Sequence, residues 1–120
     1  MSLGSDGEAF GKLFLVKRGY KIVEQNYTTP LGEIDIIARD GDTVVFVEVK
    51  TRESGRFGSP FEAVDRRKQR KIANVALLYL KRFRELPACR FDVLSISSLN
   101  AAGDLSAELI KDAFEAPWGF

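Results

Sequence analysis

The sequence predicts an α/β fold with the element order αβββαβ, in which helices flank a mixed central sheet and a short helix follows at the C-terminus. Two segments carry apolar residues at helical spacing, and four segments are rich in β-branched and aromatic residues. An Asp-Gly turn between two of these segments marks a hairpin. The 120 residues are 45% hydrophobic, which is enough apolar material for one core and predicts a single domain over residues 1–120.

The N-terminal segment predicts a helix over about residues 6–18. Ser5 and Glu8 have the spacing of a capping box, in which each side chain bonds the backbone N–H of the other residue. Apolar residues then recur at helical spacing as far as Gly19, a residue type that commonly ends helices. Residues 20–23 follow as a short strand.

The clearest predicted element is a hairpin with strands at residues 33–39 and 43–51, on either side of Asp40-Gly41-Asp42. A loop at Gly41-Asp42 pairs residues whose numbers sum to 83, and a loop at Asp40-Gly41 pairs residues whose numbers sum to 81. Both registers bring the polar residues of the two strands to one face of the hairpin, and only a loop with an odd number of residues would separate them.

The second half of the sequence predicts a long helix, a fourth strand and a last helix. Ser59 is the predicted N-cap and Pro60 the first residue of the long helix, which runs to about Glu85. The strand covers residues 90–97, and the last helix covers residues 105–114. The predicted inward face of the long helix consists of Val64, Ile72, Val75, Ala76, Tyr79, Leu80 and Phe83.

The composition excludes several classes of chemistry. The chain contains no histidine and one cysteine, which excludes a Cys/His zinc site, a Ser-His or Cys-His catalytic pair and an intramolecular disulfide. Its apolar runs are far shorter than the roughly 20 residues that span a bilayer. The N-terminus lacks the pattern of a secretory signal. We therefore expect a cytoplasmic protein that has no membrane segment.

Charged side chains on the hairpin are the strongest functional signal. Glu33 and Asp35 alternate with apolar residues on the first strand, as Glu48 and Lys50 do on the second. An unpaired ion costs several kcal/mol to bury, so charges on such hydrophobic strands need a reason. In the register that sums to 83, Asp35 lies opposite Glu48, and Glu33 lies opposite Lys50.

Such a grouping has a chemical interpretation and a structural one. Carboxylates that converge beside an ammonium group can hold a hard cation such as Mg²⁺. A lysine beside such an ion can orient a water or neutralise charge on a reacting phosphate. The hairpin therefore predicts metal-assisted hydrolysis of phosphodiesters. The alternative is an ion-pair cluster of Asp35, Glu48 and Lys50 that only stabilises the fold, or a solvated outer face.

The charge distribution indicates a polyanionic partner. Residues 50–84 contain 11 basic and 3 acidic side chains, although the net charge of the whole chain is only +1. The basic run in the long helix is either a phosphate-binding surface or a solvated helix face. Lys68 lies four residues from both Val64 and Ile72, so it is expected to lie toward the buried carboxylates. The predicted contacts with nucleic acid are Arg52, Arg56, Arg67, Lys68, Arg70 and Lys71.

The order of elements, together with Asp35 and the run Glu48-Val49-Lys50, resembles the PD-(D/E)xK nuclease superfamily, which has the restriction-endonuclease-like fold. More of the chain, from about Gly7 to Phe114, resembles the YraN-like family of uncharacterised bacterial proteins, which is itself similar to archaeal Holliday junction resolvases. The residues that carry this second resemblance are Gly7-Glu8, Gly19-Tyr20, Asn26, Gly32-Glu33-Ile34-Asp35, Phe46-Val47-Glu48-Val49-Lys50-Thr51-Arg52, Lys68 and Arg90-Phe91-Asp92-Val93.

The resemblance implies a DNA endonuclease that uses Mg²⁺ or Mn²⁺. Asp35 and Glu48 are then metal ligands together with the Val49 carbonyl, and Lys50 is the catalytic lysine. Glu8 is the additional acid that resolvases supply from their first helix, unless it serves only as a helix cap. A symmetric homodimer is expected by analogy with resolvases. The alternative function is a non-catalytic module that binds nucleic acid or protein on the same fold.

Overall fold

The computed structural model describes residues 3–52, 64–99 and 102–116 of the chain. Within these ranges the chain forms a five-stranded sheet with α-helices packed against both of its faces. None of the helices in these ranges is long and apolar enough to cross a membrane. The elements are α1 (Leu3–Lys17), β1 (Lys21–Thr29), β2 (Gly32–Asp40), β3 (Thr43–Arg52), α2 (Arg66–Leu80), β4 (Cys89–Ser98) and β5 (Leu105–Phe114).

The strands lie in the sheet in the same order as in the sequence, from β1 to β5. β3 and β4 are parallel, and the other neighbouring strands are antiparallel. A parallel pair needs a crossover connection, and α2 lies in that connection. The predicted α/β class and the mixed sheet are therefore confirmed.

Each face of the sheet has its own core. On one face Leu15 of α1 packs with Val45 and Val47 of β3. On the other face Ile72 of α2 packs in the cluster that contains Phe46 of β3. We call these the α1 face and the α2 face. Because side chains alternate along a strand, each position of β3 can be assigned to one of the two faces.

α1 begins two residues before Ser5, so Ser5 lies inside the helix and the predicted capping box with Glu8 is wrong. α1 approaches the sheet closely near this end, since a Cβ atom at Gly7 would lie 2.9 Å from the side chain of Thr51. The predicted end is confirmed. Gly19 has a left-handed φ of 91°, and its N–H donates to a carbonyl of the last helical turn at 3.0 Å.

The hairpin of β2 and β3 has the register predicted for a loop at Gly41-Asp42, and not the one predicted for a loop at Asp40-Gly41. Its paired residues run from Asp40 with Thr43 to Ile36 with Val47, and every pair sums to 83. β1 is longer than the predicted short strand, because it continues to Thr29 as the antiparallel partner of β2.

α2 differs from the predicted long helix at its ends. Its N-cap is Asp65, whose side chain accepts the N–H of Lys68 at 2.9 Å. The cap predicted at residues 59–60 lies outside the described residues. The helix ends at Leu80 instead of near Glu85, and it is followed by turns in which the N–H groups of Lys81 and Phe83 donate to carbonyls three residues earlier. All seven residues predicted for the inward face belong to the α2-face core or pack against it, which confirms that face.

The C-terminal helix predicted over residues 105–114 is wrong, because this segment forms β5. β5 pairs antiparallel with β4 and so covers backbone groups that would otherwise form an open edge. Leu105, Ala107 and Leu109 pack on the α1 face with the period of two that a strand has. The segment is rich in alanine, glutamate, leucine and lysine, which favour helices, and tertiary pairing outweighs this local propensity.

Candidate functional site

The predicted hairpin carboxylates lie at the point where the backbone pairing between β2 and β3 ends. Glu48 follows Phe46 at the spacing of two that keeps residues of a strand on one face, here the α2 face. The paired residues of the two strands stop one position before Asp35 and Glu48. α2 brings Lys68, which lies in its first turn, to the same place.

The alternation of side chains between the two faces of the sheet is broken in β2 next to Asp35. Ile34 and Ile37 both pack on the α2 face, although strict alternation would place them on opposite faces. Asn26 of β1, which lies opposite Asp35, has a left-handed φ of 50°. The pairing between β2 and β3 has ended before Glu33, which is exposed, so the predicted pairing of Glu33 with β3 is wrong.

Among the described residues, the charged side chains that converge here are those of Asp35, Glu48, Lys50 and Lys68. The Oε1 atom of Glu48 lies 3.3 Å from Nζ of Lys68 and 3.8 Å from Nζ of Lys50. Asp35 accepts the backbone N–H of Val49 through its Oδ2 atom at 2.8 Å. This hydrogen bond joins β2 to β3 where the backbone pairing has ended, and it holds Asp35 within interaction distance of Glu48.

Glu48 is the buried member of this cluster, with 6% of its side chain exposed. Burial, followed by the negative charge of Asp35, raises the pKa of Glu48 to about 7. The positive charges of Lys68 and Lys50 act in the opposite direction and do not overcome burial. Near neutral pH the Glu48 carboxyl can therefore hold or release a proton, as groups in acid–base sites do.

The pKa values of Lys50 and Lys68 are shifted in opposite directions by their surroundings. Burial, followed by a hydrogen bond with Lys68, lowers the pKa of Lys50, although Glu48 and Asp35 counteract this. Burial is the largest single influence on Lys68 and disfavours its charged form. The negative charge of Glu48, hydrogen bonds with Lys50 and Glu48, and the charge of Asp35 together outweigh burial, so the pKa of Lys68 is raised. Lys50 is therefore the amine that loses its proton more readily, and Lys68 is the one that stays an ammonium.

The oxygen atoms of this cluster fit a hard divalent cation. Asp35 and Glu48 supply carboxylates, which Mg²⁺ and Mn²⁺ prefer. The N–H of Val49 points toward Asp35, and a strand residue directs its carbonyl to the same side as its N–H, so the Val49 carbonyl faces this region. In the described ranges, no group of three acidic or cysteine side chains could hold a metal ion by itself.

Glu8 does not belong to the converging groups. It is exposed on α1, and α1 packs on the other face of the sheet from Glu48. The start of α1 lies over the ends of β3 and β4, since a Cβ atom at Gly7 would approach Thr51 and Ile96. The predicted role of Glu8 as an additional acid stays a prediction that rests on the resemblance.

The predicted contacts with nucleic acid fall into three groups. Those exposed on α2 are Arg67, Arg70 and Lys71, whose spacing of three and four residues makes them neighbours on the helix surface. Lys68 lies beside them but contacts Glu48. Arg52 is partly buried at the end of β3, and Arg56 lies outside the described residues.

Comparison with known proteins identifies a family. The sequence model of a family described as Uncharacterised protein family UPF0102 matches residues 7–96. The chain belongs to the UPF0102 family. A UPF0102 protein of Geobacter metallireducens is 50% identical over 115 residues, which are 95% of this chain and 93% of the relative. A UPF0102 protein of Syntrophus aciditrophicus is 50% identical over 117 residues, 97% of this chain and 91% of the relative. A third, from Dictyoglomus thermophilum, is 46% identical over 116 residues, 93% of this chain and 96% of the relative.

This membership confirms the resemblance to YraN-like proteins on which part of the sequence analysis rests. The part of the chain that matches UPF0102 contains Asp35, Glu48, Lys50 and Lys68. The whole cluster therefore lies within the UPF0102 region, and β5 lies after it.

A second polar cluster of this UPF0102 protein lies on the α1 face, near the turn between β2 and β3. Asp92 is fully buried and accepts hydrogen bonds from the Tyr20 hydroxyl at 3.2 Å, from Arg90 Nε at 3.0 Å and from the Asp112 N–H at 2.9 Å. Arg90 also contacts Asp40 at 2.9 Å. The cluster joins β2, β4 and β5. The predicted site does not include this cluster, although the sequence carries a signal for it in the charged pair of Arg-Phe-Asp at the start of an otherwise uncharged strand.

Proposed function

We propose that this UPF0102 protein is an endonuclease that depends on Mg²⁺ or Mn²⁺ and hydrolyses DNA phosphodiesters by attack of water. The observation that carries the proposal is the convergence of Asp35, Glu48, Lys50 and Lys68 where β2 and β3 separate. Carboxylates beside ammonium groups are the arrangement expected for metal-assisted chemistry on a phosphate. The similarity to PD-(D/E)xK nucleases supports the same assignment of residues.

Each residue has a separate role in the proposed reaction. Asp35, Glu48 and the Val49 carbonyl would hold the cation, which when bound supplies positive charge to stabilise the charge that develops on the phosphate. Lys50, whose pKa is lowered mainly by burial, exchanges a proton with the attacking water more readily than an ordinary lysine. Lys68 keeps its charge and can neutralise a phosphate oxygen.

The proposed substrate surface is the basic side of α2. Arg67, Arg70 and Lys71 are exposed there, and they would contact the DNA backbone beside the cluster. Arg52 and Arg56 are the further contacts that the sequence predicts. Contacts with phosphates position DNA but carry no sequence information. We therefore expect cleavage that is selective for DNA structure or not selective at all.

Similarity to Holliday junction resolvases extends the proposal to DNA repair or recombination in the cytoplasm. Resolvases cut two strands, and a two-fold symmetric homodimer would provide two equivalent sites for this purpose. In this proposal Glu8 keeps its predicted role as an additional acid.

Cleavage of labelled DNA tests the proposed activity. A four-way junction, a flap, a single strand and a duplex are incubated with Mg²⁺, Mn²⁺ or a chelator. Wild type and the control Glu33→Gln, which changes an exposed carboxylate outside the cluster, should cleave at least one substrate when the metal is present. Lys50→Ala should cleave roughly a hundredfold more slowly. Equal cleavage by Lys50→Ala and wild type, or no cleavage by either, would contradict the proposal.

A non-catalytic module for nucleic acid is the second candidate, and one observation favours it. In the described part of the chain, no buried side-chain nitrogen or oxygen lacks a hydrogen-bond partner. No fully buried polar atom described in the Glu48 cluster therefore requires a metal ion as its partner, as in a purely structural cluster. In the same assay this candidate predicts equal DNA binding by wild type and Lys50→Ala, without cleavage by either.

A further inference from the structure

Of the two lysines that contact Glu48 in the described part of the chain, Lys68 is the nearer and the more exposed. Nζ of Lys68 lies 3.3 Å from the Glu48 carboxylate, and Nζ of Lys50 lies 3.8 Å away. The Lys68 side chain is 43% exposed, compared with 23% for Lys50. The backbone of Lys68 is fixed, because its N–H donates to the N-cap Asp65 at 2.9 Å. The side chain can therefore change its partner while the helix stays in place.

We propose that Lys68 neutralises Glu48 in the metal-free protein, is displaced when Mg²⁺ or Mn²⁺ binds, and then offers its ammonium group to a phosphate of the DNA. This inference rests on the proposed function, because it takes Asp35 and Glu48 as the ligands of the ion. In the metal-free state Lys68 competes with the ion, because it occupies the carboxylate oxygen that the ion needs.

Electrostatic repulsion favours displacement of Lys68 by the metal ion over simultaneous binding of both cations to Glu48. Glu48 is 6% exposed, and charges at a buried position are screened less than charges in water. A divalent ion beside Asp35 and Glu48 supplies the positive charge that Lys68 otherwise provides, and the two cations then repel each other. Lys68 can move outward while its carbon chain stays against the protein, since long amine side chains extend readily to solvent. Lys50 is more enclosed and has less freedom to move.

The surface toward which the Lys68 side chain would move is positively charged. Arg67 and Lys71 are exposed on the same helix, so an ammonium group that leaves Glu48 joins a surface where phosphates are expected to bind. Binding of the metal would thereby add one positive charge to the protein surface that is proposed to bind DNA. A fixed Lys68, in contrast, would orient Glu48 for the ion, and its loss would weaken metal binding. The direction of the change in metal affinity therefore distinguishes the two roles.

Calorimetric titration with Mn²⁺ tests the exchange in wild type, Lys68→Met, Lys68→Arg and Lys71→Met. The titrations are made without DNA and with a cleavage-resistant phosphorothioate duplex. The titrations are made at about pH 8, above the raised pKa of Glu48, so that protons compete little with the metal. Under these conditions Lys68→Met should bind Mn²⁺ roughly tenfold more tightly than wild type, because the competing cation is gone. Lys71→Met removes the same charge from an exposed position of the same helix and should change the affinity less than about twofold. Lys68→Arg keeps a competing cation and should not bind more tightly than wild type.

Acetylation of lysine amines, measured by mass spectrometry, gives a readout that does not depend on affinity. Mn²⁺ should increase the acetylation rate of Lys68 and leave that of Lys71 unchanged. Equal or weaker Mn²⁺ binding by Lys68→Met, or protection of Lys68 by Mn²⁺, would overturn the exchange and leave the nuclease proposal intact. Absence of Mn²⁺ binding in all four proteins, with and without DNA, would overturn both.

Discussion

Replacing Glu48 with glutamine should change how the stability of the protein depends on pH. Burial, together with Asp35, raises the pKa of Glu48 to about 7 from the ordinary 4.5 of a glutamate. Between these two values the carboxyl is protonated in the folded protein and ionised in the unfolded chain. Unfolding then releases a proton, so the stability contributed by protonated Glu48 is complete below about pH 4.5 and is lost as the pH rises through 7. Glutamine preserves the shape of the side chain without this titration.

The size of the effect follows from the two pKa values of Glu48. Each pH unit between them corresponds to about 1.4 kcal/mol, so ionisation of the buried carboxyl costs roughly 3 kcal/mol. Wild type and Glu48→Gln should have similar free energies of unfolding near pH 4.5. At about pH 8 the wild type should be less stable than Glu48→Gln by roughly 3 kcal/mol. Such a difference is a large part of the roughly 5–15 kcal/mol that stabilises a typical domain.

Urea unfolding at intervals between about pH 4.5 and about pH 8 measures this difference. Glu33→Gln is the matched control, because it changes the same functional group at an exposed position of β2. Its free energy of unfolding should stay within about 0.5 kcal/mol of wild type over the whole range. A difference between wild type and Glu48→Gln that does not vary with pH, or that grows toward acid, would refute the argument from burial.

Three further substitutions test other parts of the structure. Asp92→Ala leaves Arg90 without its buried partner and should lower the free energy of unfolding in urea by about 3–5 kcal/mol, and an effect below about 1 kcal/mol would show that the pair is unimportant. Asp112→Gly relieves a left-handed φ of 51° while keeping the N–H that Asp92 accepts, so thermal unfolding should show a gain of about 1 kcal/mol, and a loss would contradict this. Asp35→Asn removes a charge that raises the pKa of Glu48, so the pH range over which stability falls should end at lower pH, and an unchanged range would contradict the coupling.

The hairpin shows how much of the site is determined locally. The run Asp40-Gly41-Asp42 indicated a two-residue loop, and both registers that such a loop allows place the polar residues on one face, so Asp35, Glu48 and Lys50 could be placed together from sequence alone. The break in alternation beside Asp35 could not be predicted in this way. It coincides with a left-handed Asn26 on the neighbouring strand, and a pattern within β2 carries no information about that residue.

The difference between local pattern and contacts with neighbouring elements also explains which predictions are confirmed in the second half of the chain. Lys68 was expected near the carboxylates because helical spacing placed it between two inward residues, and it lies 3.3 Å from Glu48. The segment Leu105–Phe114 was expected to be a helix because its residue types favour one. Its strand conformation depends on the free edge of β4, which no local property of the segment reveals.

The two polar clusters use different cations, and the difference bears on their roles. Around Asp92 the cation is the guanidinium of Arg90, which is 18% exposed and lies 3.0 Å from Asp92 and 2.9 Å from Asp40. A guanidinium is planar and always charged, which suits permanent pairing. Around Glu48 the cations are ammonium groups, which change their pKa and their partners more easily. A cluster that only stabilised the fold would resemble the one around Asp92, whereas the Glu48 cluster keeps groups that can exchange a proton or a partner, as the proposed reaction requires.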